Sequence, residues 1–177
     1  LIIFLFLLCF MFDVQQIDKT FFFILTNIDN KISEGPTGAI LRDLPSPYQS
    51  HALGLLHLPR FLAKIRKHLD NALPKSYQRN FTKGFDGFLC LHLGIDPQDV
   101  IECVKNADSE QELNQQLKEL FPTELNSHVW NRKVVQMGMS DMALEKLEEI
   151  KSDLGAEGRS DLRSFADVIE FDEGRIE

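Results

Sequence analysis

Arg60, Lys64 and Lys67 recur at i, i+4 and i+7, which lines them along one stripe of a helix, with Arg66 on a neighbouring face. Guanidinium groups suit two-pronged binding of phosphate or carboxylate, and an ammonium adds a point charge. Arg60 falls in the first turn after Pro59, close to the positive end of the helix dipole, which adds to any attraction for an anion. His51 and His57 sit in the loop before this helix, and Tyr77 follows it. A histidine beside an arginine and a tyrosine could move protons. No serine or cysteine near them has a nucleophile's motif context. Two readings follow. In the sharper one, Arg60, Lys64, Arg66, Tyr77 and His57 gather a phosphate or carboxylate group. In the plainer and preferred one, the basic face is solvated or paired with acidic side chains of the same chain.

The charge distribution frames that choice. The chain carries 19 Lys and Arg against 27 Asp and Glu, a net −8. Residues 42–83 alone carry +6, whereas residues 1–41 carry −2 and residues 84–177 carry −12. A basic third facing an acidic half suits internal pairing. The overall balance, and the lack of aromatics interleaved with the basic residues, argue against nucleic acid as the ligand. The three cysteines, Cys9, Cys90 and Cys103, have no CxxC spacing, so neither a disulfide framework nor a zinc site is expected, and a reducing, cytoplasmic setting fits. No metal-ligand spacing, phosphate loop or cofactor motif appears, so neither metal nor cofactor is expected. His92 on an apolar stripe reads as a hydrogen-bonded core histidine, and His128 has no ligating partner at i+4.

Hydrophobic content of 44% in 177 residues supports one domain with a sizeable core. From Pro59 the pattern is helical. Phe61, Leu62, Ile65, Leu69 and Leu73 form one stripe that Pro74 ends, and Lys75 to Gly84 reads as turn. Phe85, Phe88, Leu89 and His92 mark the next helix, closed by Gly94; Asp96-Pro97 opens another, and Ser109 with Glu112 makes a capping box for the one after. Pro122 breaks the chain, Thr123 is expected to cap the helix of Trp130, Ser140 the next, and Ser160 the last. Ser33 to Pro47, with its prolines and glycines, reads as loop. The expectation is all-α: six or seven short helices in a compact orthogonal array over residues 41–177.

Residues 1–40 are set apart as a disordered or spurious extension. Leu1 to Phe12 is continuously apolar, too short to span a bilayer, which needs about 20 residues. Half of the 14 Phe residues fall before residue 24, a bias typical of translated AT-rich non-coding DNA. A spurious upstream extension is the preferred reading and a truncated membrane anchor the second. Only the second would bring a membrane into the account.

Leu41-Arg42-Asp43-Leu44-Pro45-Ser46-Pro47, Leu58-Pro59-Arg60 with Lys64 and Arg66, Tyr77, Trp130-Asn131 and Asp172-Glu173-Gly174-Arg175 occur in an order and spacing that resembles an uncharacterised bacterial family of domains of unknown function. The resemblance covers about residues 41–175. Ala63 stands where that family usually has Asp, and Ser76 where Glu precedes the Tyr, so any role of those two acids is missing here. Read from the residues themselves, Pro59, Trp130, Asn131, Asp172, Glu173 and Arg175 are expected to be structural, with Asp172-Glu173-Gly174-Arg175 a helix end and glycine turn that closes the fold and pairs with Arg60 or Arg66, which would explain the charge asymmetry. The resemblance itself supports the domain limits and little else. It implies no activity. The functional expectation is a non-catalytic helical module binding a small anion or a protein partner. The alternative is a small enzyme acting on a phosphorylated or carboxylate substrate through His57, Arg60, Lys64 and Tyr77.

Overall fold

The computed structural model describes residues 32–177, Pro36 excepted. The apolar runs at Leu1–Phe12 and Phe21–Leu25, and with them most of the expected extension, lie outside the described residues. The rest is mostly helical. A hairpin of β1 (Ile32–Gly35) and β2 (Gly38–Leu41) precedes α1 (Leu58–Leu69), α2 (Lys75–Gln78), α3 (Gly84–Leu93), α4 (Pro97–Asn106), α5 (Glu110–Leu120), α6 (Ser127–Gln136), α7 (Asp141–Asp153) and α8 (Phe165–Asp172). No described helix is long and apolar enough to cross a membrane.

Two differences from the expected architecture stand out. Ser33 to Pro47 is not all loop. Its first part is an antiparallel ladder pairing Ser33 with Ile40, Glu34 with Ala39 and Gly35 with Gly38. Gly38 has φ +112°, a conformation that glycine adopts freely, and Pro45 and Pro47 come after the ladder, where they interrupt nothing. The described residues also hold eight helices rather than six or seven. The extra one is α2, a single turn whose Tyr77 and Gln78 amides both donate to the Pro74 carbonyl.

Helix ends follow their local chemistry. The Asp96 side chain accepts from the Gln98 amide at 2.8 Å ahead of α4, and Gly94 ends α3 at φ +70°. Ser109 accepts from the Glu112 amide at 3.1 Å at the head of α5. The start of α6 moves from Thr123 to a left-handed Asn126, a conformation asparagine tolerates. The start of α8 moves from Ser160 to Ser164, which makes a full capping box with Asp167.

α1 runs through the middle of the molecule. Its apolar side buries Leu58, Phe61, Leu62 and Ile65 against α3, α4, α5 and α6 in the main core. Leu147, Leu154, Leu162 and Val168 form a second cluster under α7 and α8, and Leu41, Leu44 and Leu73 a third beside β2. Leu69, expected on the α1 stripe, is partly exposed, and Leu73 belongs to the third cluster because α1 stops at Leu69.

The Trp130-Asn131 pair fixes the loop that leads into α1. Trp130 is fully buried and its Nε1 donates to the Leu56 carbonyl at 2.8 Å. Asn131 accepts from the Leu56 amide and donates to the Gly54 carbonyl, each at 2.9 Å. Removing the Asn131 amide strands two backbone groups that helix geometry cannot satisfy. Asn131→Ala should therefore lower unfolding free energy by about 2 kcal/mol, read from the urea midpoint. An unchanged midpoint would show that the loop holds itself.

Candidate functional site

The basic stripe of α1 faces inward. Arg60 and Lys64, at i and i+4, are 4% and 6% exposed, and His57, which caps the helix, is 1% exposed. Burying cations is costly unless each meets an anion with good hydrogen-bond geometry. Two carboxylates supply that need, Glu173 for Arg60 and Asp86 for Lys64 and His57.

Glu173 follows the last turn of α8. Arg60 grips it with both prongs, Nη1 donating to Oε2 at 2.9 Å and Nη2 to Oε1, and Arg60 Nη1 also donates to the Pro45 carbonyl at 3.0 Å. The Tyr77 hydroxyl donates to Glu173 Oε1 at 2.7 Å and accepts from the Leu41 amide at 3.0 Å. Arg175 reaches the same carboxylate and donates to the Leu44 carbonyl at 3.0 Å. One carboxylate thus ties together α1, α2, α8, the end of β2 and the loop after it. Burial alone would pull the Arg60 guanidinium down, but the bond to Glu173 outweighs it and holds Arg60 above its ordinary value. Burial and the neighbouring Glu173 charge raise the Tyr77 hydroxyl, which stays protonated as a donor.

Asp86, on the first turn of α3, is fully buried. Lys64 Nζ lies 2.6 Å from both of its oxygens, His57 Nε2 lies 2.8 Å from Oδ1, and the Thr82 amide donates to Oδ2 at 3.2 Å. Burial pushes the carboxyl up, but the Lys64 charge and the His57 bond together hold it below the usual carboxylate range. An ionised carboxylate only accepts, so His57 carries its proton on Nε2. Its Nδ1 is then a buried acceptor with no partner. His57 also sits in the left-handed region at φ +67°, with its ring 5.1 Å from that of Phe85. Burial drives its pKa down to about 4, despite the opposing pull of Asp86, so the ring is neutral near pH 7. Burial also lowers the Lys64 ammonium, against the pull of Asp86.

The five expected anion-binding residues do not form one site. Arg60 and Tyr77 converge on Glu173, and His57 and Lys64 on Asp86. Arg66 joins neither; its side chain is 43% exposed and meets Glu110 at 2.5 Å, because it lies on the outward face of α1. Lys67 ends the stripe at the surface, 2.8 Å from Asp43. Among the other expected structural residues, Pro59 opens α1, Asp172 accepts from the Thr37 hydroxyl at 2.9 Å, and Arg175 anchors Glu173. His51 is held in its turn, its Nδ1 accepting from the Leu53 amide at 3.2 Å, and His92 bonds the Leu125 carbonyl at 3.0 Å while stacking on Trp130. Asp86 is the residue that sequence reading missed. A single Asp one turn into a helix reads as a dipole-complementing surface residue, and only its closeness to His57 and Lys64 in space makes it central.

Among the described residues, no three His, Cys, Asp or Glu side chains gather as a metal site would need. A surface hollow on α5 is lined by Ser109, Glu112, Gln115 and Lys118, and none of the network residues borders it. The arrangement is a small helical domain whose buried cations, Arg60 and Lys64, are neutralised internally. Residues 42–175 match the family described as "Domain of unknown function (DUF5069)", and the chain belongs to that family. The match includes the side chains of both networks, from His57 to Arg175. No curated protein matches the chain.

The His57 geometry sets an acid limit on stability. The unfolded His57 gains its proton near pH 6.5 and the folded one only near about 4. Its contribution is complete above 6.5 and is lost as pH falls from there towards 4, by roughly 3 kcal/mol in all. His51, half-buried, shifts in the same direction, so the comparison must be made by substitution. His57→Asn, which tolerates the left-handed backbone, should flatten the stability profile between pH 6.5 and 4. A profile as steep as that of the unaltered chain would place the acid sensitivity elsewhere.

Proposed function

We propose that this domain is a non-catalytic helical module that binds a protein partner or a small anion. The observation that carries the reading is the closure of the two networks. The groups best suited to acid–base or anion chemistry, His57, Arg60, Lys64 and Tyr77, each have an internal carboxylate partner, and the His57, Arg60 and Lys64 side chains are buried as well. A buried arginine already held at both prongs has little left to offer an incoming phosphate. Binding through the outer surface then suits the fold better than turnover within it. A reducing, cytoplasmic setting accords with Cys90, whose thiol is buried and pushed up to about 12, far from the thiolate that oxidation requires.

One observation favours the enzyme as a second reading. His57 is oriented by Asp86 and keeps an unpartnered Nδ1, an arrangement that a proton acceptor would need if the loop before α1 opened. Turnover separates the two. Generic phosphate and carboxylate ester substrates should show no hydrolysis that depends on His57. Activity present in the full chain and lost in a folded His57→Gln variant would overturn the proposal and establish the enzyme.

A further inference from the structure

Of the eight cations between residues 42 and 83, Arg60, Lys64, Arg66 and Lys67 meet carboxylates. Arg42, Lys75, Arg79 and Lys83 are exposed and form no ion pair among the described residues. Their placement follows from Tyr77. That side chain turns inward to Glu173, and the residues two before it on α2 and two after it, at the helical residue that follows α2, are carried to the opposite side. Lys75 and Arg79, four apart, therefore project outward together. Lys83 follows after a tight turn closed by its amide on the Asn80 carbonyl, and Arg42 continues directly from Leu41, whose amide is bonded to Tyr77. The Ser76 hydroxyl on the Ala39 carbonyl at 2.7 Å seats α2 against β2, so these cations border one surface.

We propose that this surface is the binding face of the module, and that its partner is an acidic polypeptide segment carrying apolar side chains. The inference rests on the binding-module reading and names the partner's chemistry. Four cations with no ion pair among the described residues, on a chain of net −8, form a local attraction against a repelling whole, which selects a short acidic segment over a long uniform polyanion. Two further features separate polypeptide from nucleic acid. Glu34 and Asp70, exposed on the flanking β1 strand and the end of α1, would repel a continuous phosphate backbone. The aromatics within the stretch are turned inward, Tyr77 to Glu173 and Phe81 against Phe61 and His68, so none alternates with these cations as a run of stacked bases would need, and exposed Phe88 lies beyond them on α3. Beyond Lys83, α3 presents Phe88 and Leu91, 51% and 77% exposed and three residues apart, as an apolar strip for a partner's side chains.

The test is a binding titration of the full chain with a labelled peptide of glutamate and leucine, at low and near-physiological salt, beside a single-stranded oligonucleotide of matched length. The peptide should bind and weaken with salt, the Lys75→Glu/Arg79→Glu variant should lose at least about tenfold in affinity, and Arg66→Ser, on the other side of α1, should bind as the unaltered chain does. A Phe88→Ser/Leu91→Ser variant should also weaken the peptide while leaving the salt dependence in place. No peptide binding, an equal loss in Arg66→Ser, or tighter binding of the oligonucleotide would overturn the proposal. None of those results bears on His57-dependent turnover, so the binding-module reading fails or stands separately.

Discussion

The Glu173 carboxylate sits where two guanidinium groups and a phenol meet, each of them also bonded to the backbone of residues 41–45, and its desolvation is tolerable only because all of them are in place. A buried ion pair is a poor source of net stability, since the cost of stripping water from both charges consumes most of the attraction. It is a strong source of specificity. Arg60 can enter the interior of this fold only if the residue after α8 arrives opposite it, so a contact spanning 113 residues is fixed by electrostatics rather than by apolar packing. The Asp86 network applies the same constraint locally. Lys64 and His57 approach from one helix and its cap, and α3 must present Asp86 to them.

The two networks give α1 an unusual environment. Its apolar side is covered by α3 to α6, and Arg60 and Lys64 on its basic side are covered by their carboxylates, so the first two turns of a helix that looks amphipathic are buried on both faces, while Arg66 and Lys67 in its last turn reach the surface. The consequence for function is direct. The cations that seem most available in the sequence are the ones least available in the molecule, and the electrostatic identity of the surface passes to residues of less evident pattern on α2 and its flanks. A membership in the family described as a domain of unknown function leaves this physical sorting of charges as the ground for assigning a partner.

Much of the helical frame is legible in the residues, because caps are local. Asp96 before Pro97, Gly94 after α3 and Ser109 before α5 each act within a few residues of themselves. The hairpin escapes because four residues per strand leave no alternation to detect, and α2 escapes because one turn has no periodicity. Asn126 displaces Thr123 ahead of α6 through a left-handed backbone with no side-chain cap bond, which a pattern of capping side chains does not mark. For the site, the acid–base candidates and the pairing of the final acidic element with the basic helix are visible from charge asymmetry. Asp86 is not, since nothing within its own helix distinguishes an inward carboxylate from an outward one.

The account depends on Arg60 and Glu173 being coupled in the interior, and a double-mutant cycle with methionine at each position measures that coupling directly. Either single substitution strands a buried charge and should cost about 3–5 kcal/mol, while the double substitution should recover much of that loss, giving a coupling of about 2 kcal/mol or more. Strictly additive losses, with the double variant as unstable as the two singles combined, would contradict a paired interior and return Arg60 to the solvent.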